Sequence, residues 1–163
     1  MKRTSKLMLI AATVAALLGL ASLGKKDLHL LPVVHAQDQS SGCSLASLNG
    51  PYALERVGTI VGQLPGFPPP PAQFGEVNIA TFDGAGSFSG SAVVNIGGAV
   101  LNPVTFNGTY TVNADCSGTD TVFTGVGVTL HNSIVVTGGG RRFISTQTDP
   151  WAVVQARGQR LGD

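Results

Sequence analysis

The chain has 163 residues, 43% hydrophobic and only 12% charged, with a formal net charge of +1. That value hides an asymmetry, because every lysine precedes residue 37, and the remainder carries five arginines against eight acidic residues, a net charge of −3. With no basic stripe to neutralise phosphates beyond residue 36, a nucleic-acid partner is not expected.

The first residues read as an export signal. Lys2, Arg3 and Lys6 precede an uncharged apolar run over residues 7–24, the pattern of a secretory signal peptide. Val34-His35-Ala36 offers a small residue at a cleavage position, so the leader is expected to span 1–36, with Gly19-Leu20-Ala21 an earlier alternative. The run of about 18 residues also reaches the lower limit for a membrane-spanning helix, which makes a retained anchor the competing reading. After cleavage no membrane span remains, and the product is expected in the periplasm or outside the cell. About 127 residues suffice for one domain over 37–163 with a real core. Cys43 and Cys116 both lie in that segment, and an exported compartment favours their pairing as a disulfide. The alternative is one buried and one incidental thiol; no Cys-x-x-Cys spacing supports a redox pair.

Residues 52–61 read as a first strand, although Glu55-Arg56 breaks its alternation and suggests an edge or a bulge. Pro68 to Pro71 exclude helix and central strand and predict a rigid surface loop. Strands follow over 74–82 and 87–96, separated by the Asp83-Gly84-Ala85-Gly86 turn. In the next strand Val104, Phe106, Tyr110 and Val112 share one face, and Thr105, Asn107, Thr109 and Thr111 the other. Turn chemistry surrounds Cys116. Further strands are expected from 121, over 128–137 after a bend at Gly125-Val126-Gly127, over 142–147, and over 151–157. About eight short strands, glycine-rich turns and no persuasive helix predict an all-β fold. The favoured form is a small antiparallel up-and-down barrel, the alternative a β-sandwich. Polar interruptions and the lack of aromatic girdles argue against a transmembrane barrel.

Four segments carry a resemblance: Cys43-x-x-x-x-Leu48-x-Gly50-x-Tyr52; Phe82-Asp83-Gly84-Ala85-Gly86; Gly108-Thr109-Tyr110-Thr111-Val112 with Asp115-Cys116-Ser117-Gly118; and Gly139-Gly140-Arg141 before Phe143-Ile144-Ser145-Thr146. In this order and spacing the chain resembles a family of small exported bacterial β proteins of uncharacterised function. The resemblance implies a single exported barrel-like domain with a disulfide. At the level of fold it is also similar to the barrel of plant allene oxide cyclases and dirigent proteins, with no motif match and no catalytic residue carried over.

Chemistry-bearing residues are sparse. His131, the one histidine beyond residue 36, is a candidate general base, but no Gly-x-Ser-x-Gly elbow accompanies it. No metal site is expected once His29 and His35 leave with the leader, and no cofactor motif appears. Asp83, Asp115 and Asp120 sit in Gly- or Ser-rich stretches and read as turn formers, without EF-hand spacing. Glu76, Arg141, Arg142, Arg157, Tyr110 and Trp151 complete the candidates for a ligand or surface site, with a late arginine patch suited to an acidic ligand or a neighbouring subunit. Asn107-Gly108-Thr109 matches the glycosylation pattern and has no use in a bacterium. The expected partners are a small molecule or a second copy of the chain. The expected function is a non-enzymatic exported domain, binding a small ligand or contributing to an envelope or extracellular assembly. The alternative is a barrel enzyme of isomerase or cyclase type that works through a shaped cavity, for which His131, Glu76 or an arginine must face the interior.

Overall fold

The computed structural model describes residues 42–162; the leader and its cleavage after Ala36 lie outside the described residues. Eight strands follow one another: β1 (Asn49–Ile60), β2 (Ala72–Asp83), β3 (Ser87–Ile96), β4 (Ala99–Val112), β5 (Ser117–Thr124), β6 (Thr129–Thr137), β7 (Arg142–Gln147) and β8 (Ala152–Arg160). Each pairs antiparallel with the next, and β8 returns to β1, so the sheet closes. The up-and-down barrel is therefore the architecture. The sandwich does not form, because no strand pairing is interrupted to split the sheet into two layers.

Alternation explains why these segments close with an apolar interior. On β6, Leu130, Asn132, Ile134 and Val136 are buried while Thr129, His131, Ser133, Val135 and Thr137 are exposed. The threonine-rich face of β4 likewise points outward. Glu55-Arg56 is neither an edge nor a bulge: β1 keeps continuous register with both β2 and β8, placing Glu55 outside and Arg56 inside. The bulge lies between β3 and β4 instead, at Ala92/Val94. Pro103, which has no N–H to give the ladder, falls on β4 beside it. β4 and β5 also run longer than their patterns suggest, beginning at Ala99 and Ser117, because the cross-strand ladder recruits residues of weak strand preference.

The two ends differ. One is plugged by the 3-10 turn Leu45–Ser47 and by fully buried Leu48 and Tyr52, which pack with Ala80, Phe82, Phe88, Tyr110 and Phe143. The Tyr110 hydroxyl donates to the carbonyls of Leu45 (3.0 Å) and Leu48 (2.9 Å), and the Tyr52 hydroxyl donates to the Gly140 carbonyl. Arg160 lies over the Tyr52 ring at 5.5 Å and donates to Tyr52 Oη and to the Ser47 carbonyl. Glycine makes room for the rings. Gly108 pairs with Phe88, and a Cβ there would come within 2.5 Å of the Phe88 ring. Cys43 and Cys116 are at disulfide distance, with Cα atoms 4.9 Å apart, and tie the segment before the plug to the β4–β5 turn.

At the other end Ile60, Ala72, Ile96, Val104, Ala152 and Val154 form a second cluster. The proline-bearing loop between β1 and β2 is more than a surface spacer, because Leu64 and Phe67 pack inward against this cluster beside Trp151. Trp151 itself lies in the turn just before β8. Among the described residues no helix is long and apolar enough to cross a membrane.

Candidate functional site

Between the two apolar clusters the barrel carries a layer of polar side chains. Strand parity turns Arg56 of β1, Glu76 and Asn78 of β2, Asp120 of β5, Asn132 of β6 and Gln147 of β7 toward the interior. Arg56 donates to Glu76 Oε2 at 3.1 Å, with both side chains only 8% exposed, and to Gln147 Oε1 at 3.3 Å. Its guanidinium also lies 5.6 Å from the centre of the Phe74 ring. Asn78 Nδ2 donates to the second Glu76 oxygen, and Asn132 Nδ2 donates to Asp120 Oδ1. Among the described residues one side-chain atom stays unmatched: Asn78 Oδ1 is buried without a hydrogen-bond partner. An unpaired buried acceptor costs about 1–3 kcal/mol, so it marks a place where a donor is wanted.

A cavity of about 60 Å³ abuts this layer on the plugged side, lined by Arg56, Glu76, Asn78, Asp120 and Asn132 with Phe82, Phe88 and Phe106. A second cavity of about 60 Å³ lies toward the other end, lined chiefly by Ile60, Phe74, Val94, Leu130 and Trp151 under Leu64 and Phe67. Glu76, Val94, Val104, Thr124 and Leu130 line both, so the two chambers are neighbours with these side chains in common.

Burial pushes the Asp120 carboxyl up to about 6; the hydrogen bond from Asn132 and the positive charges of Arg56 and His131 offset only part of that rise. A carboxyl whose folded-state pKa exceeds its unfolded value binds more protons when folded. Its contribution to stability is full below about 3.8 and is lost as the pH rises to about 6. Asp120→Asn, which keeps an oxygen for Asn132, is therefore expected to stabilise the chain by about 3 kcal/mol at pH 8. The gain over the parent should fade to nothing by pH 4. Urea unfolding of both proteins at the two pH values measures it, and a gain that persists unchanged at pH 4 would contradict the assignment.

The residues singled out from the sequence do not converge. Glu76 faces inward and Tyr110 belongs to the plug, while Trp151 lines the opposite chamber. His131 points outward with its side chain 55% exposed; its ring nitrogen pairs with Asp149 at 2.8 Å, and its backbone N–H donates to the same carboxylate. Burial pushes Asp149 up, but these bonds and one from Gln147 outweigh it and hold the carboxyl below its ordinary value. Arg141 and Arg142 are exposed around the β6–β7 turn. Arg157 faces outward beside Glu55 and Ile144, on an open groove also lined by Val57 and Val135. Arg160 turns away from this group to cover Tyr52. Asn78, Asn132 and Gln147, which no sequence motif marks, form the interior site with Arg56 and Asp120, which stand on strands and are neither an edge feature nor a turn former. Their signal was parity: each is a polar residue on the apolar phase of its strand.

No family model and no curated protein matches the chain. Among solved structures it is similar to a redesigned β barrel, mFAP1, bound to DFHBI, at 14% identity and a TM-score of 0.47 over 71% of this chain and 97% of that one.

Proposed function

We propose that the chain is an exported, non-enzymatic barrel that holds one small molecule in its interior, beside the polar layer. The observation that carries this reading is the cavity inside the barrel that the inward-facing polar side chains Arg56, Glu76, Asn78, Asp120 and Asn132 line together. Charged groups buried around such a space are costly unless they are paired and hydrogen-bonded. Chambers of about 60 Å³ are well below the roughly 300 Å³ of an ordinary ligand pocket, so the guest is small. The same size disfavours a cyclase or isomerase working by shaping a large substrate. Glu76 is held by Arg56 and Asn78, and His131 stands outside the wall, so the two acid–base candidates share no cavity. Export rests on the leader pattern over 1–36, and the cysteine pair fits an oxidising compartment.

A second reading, contribution to an assembly, draws on the exposed Val57, Val135, Ile144 and Val153 of the outer face. One experiment separates the two. Thermal melts and the emission of Trp151, the single tryptophan, are followed against a panel of short alcohols, amines, carboxylic acids and benzene, alongside Leu130→Trp, which fills the junction of the chambers. Small-molecule binding predicts a rise in Tm for at least one compound, lost in the filled variant. A melt indifferent to every compound, from a protein that sediments as a dimer, would replace the binding reading with assembly.

A further inference from the structure

We infer that the cavity beside the polar layer receives a primary ammonium group, the head of a short aliphatic amine whose chain lies in the adjoining apolar chamber. This rests on the reading that the barrel holds a small molecule and names its chemical class.

The orientation of Asn78 is set by its neighbour. A Glu76 carboxylate accepts hydrogen bonds and gives none, so the Asn78 NH₂ must face it and the carbonyl oxygen must face away. Asn78 is 8% exposed and this oxygen has no partner. Nearby, Arg56 donates to Glu76 and Gln147, Asn78 Nδ2 to Glu76, and Asn132 Nδ2 to Asp120. Among the described residues Asp120 accepts a side-chain hydrogen bond only at Oδ1. The second Asp120 oxygen, on a residue that lines the cavity, is an acceptor that an N–H or O–H group of a guest would match.

Charge selects between neutral and cationic guests. Arg56 and Glu76 balance one another in a direct ion pair, whereas Asp120 has a hydrogen bond from Asn132 and no direct ion pair among the described residues, the charges of Arg56 and His131 acting on it from farther away. A cation beside Asp120 offsets the cost of burying that carboxylate, the same burial that raises its pKa. The rings of Phe82, Phe88 and Phe106 on the same cavity add faces that attract positive charge. A metal ion fits less well, because no group of three or more His, Cys, Asp or Glu is disposed to hold one among the described residues. A three-donor ammonium on a short chain suits both chambers: about 60 Å³, room for about two waters, for the head, and as much again, lined by Val94, Val104 and Leu130, for the tail.

The test uses the full chain, produced with its disulfide, and n-butylamine, n-butanol and n-butyrate as probes. Calorimetry and Trp151 emission at pH 8, where Asp120 is ionised and the amine is protonated, read the binding. Butylammonium is expected to bind saturably and roughly tenfold or more tightly than butanol, with butyrate weaker still. Asp120→Asn is expected to remove that preference, and Asn78→Leu to weaken the amine. Asp120→Asn is not expected to impair folding, so its effect reads recognition. Equal binding of butanol and butylamine, or an amine affinity unchanged in Asp120→Asn, overturns the ammonium assignment and leaves the small-molecule reading intact. Failure of all three probes, with ordered water alone in the cavity of a crystal soaked in butylamine, overturns both.

Discussion

Replacing Arg56 with alanine is expected to cost about 3–5 kcal/mol of stability, a large share of what a domain of this size possesses. The cause is the partner left behind. Glu76 is 8% exposed and holds two hydrogen bonds inside the barrel, from Arg56 and from Asn78. Without the guanidinium its charge has no counterion in direct contact, and Gln147 loses a donor as well. Arg56 also fills space beside Phe74, so its stem is lost with its charge. Removing both charges separates the electrostatic penalty from the packing loss. The double variant Arg56→Met with Glu76→Leu is expected to lie within about 1–2 kcal/mol of the parent, on either side of it, because a buried ion pair replaced by apolar groups of similar volume is often neutral or better. Urea unfolding of parent, single and double variants forms the cycle. A single variant as stable as the parent would show that the pair is solvated and would remove the buried polar layer as a physical feature. The double variant is also expected to lose butylamine binding, since Asn78 no longer has a carboxylate to orient its amide.

Cutting the link between Cys43 and Cys116 is the other large effect. The cysteines are 73 residues apart, and closing a loop of that length removes enough chain entropy from the unfolded state to stabilise the fold by about 4 kcal/mol. Cys43→Ser with Cys116→Ser should lower the unfolding free energy by about that amount, as should reductant added to the parent. The loss concentrates at one end. Cys43 precedes the turn that presents the Leu45 and Leu48 carbonyls to Tyr110, and its own N–H donates to the Ala114 carbonyl. Amide exchange should therefore accelerate first at Leu48 and Tyr110 and leave β6 to β8 protected. If parent and serine variant share one urea midpoint with and without reductant, the two sulfurs are not bonded in the folded protein.

The alternation of Phe106, Tyr110 and Val112 against Thr105, Thr109 and Thr111 was enough to assign the faces of β4, since side-chain direction along a strand depends only on the parity of position. The same rule sends Arg56 inward with Tyr52 and Ile60, and Asp120 inward with Gly118 and Val122. Both were passed over for local reasons: Glu55-Arg56 looked like an interruption, and Asp120 stands close to a turn-forming stretch. Turn chemistry competed with parity at Asp120 and lost, because the ladder with β4 and β6 continues through it. His131 was legible too, falling with Thr129 and Ser133 on the outer phase, and its exposure follows from that position.

The strand segments to within a few residues, their inward and outward faces, and a pair of cysteines suited to bridging are all legible in the residues, because backbone preference and side-chain alternation act between neighbours. The folded barrel adds the choice of closure over two layers, the approach of Asp120 to Asn132 and of Arg56 to both Glu76 and Gln147, and, among the described residues, one buried amide oxygen left without a donor. Those outcomes depend on the stagger between strands, which sets the height at which each inward residue meets the others. That stagger is fixed by closure of the whole barrel, and no single segment contains it.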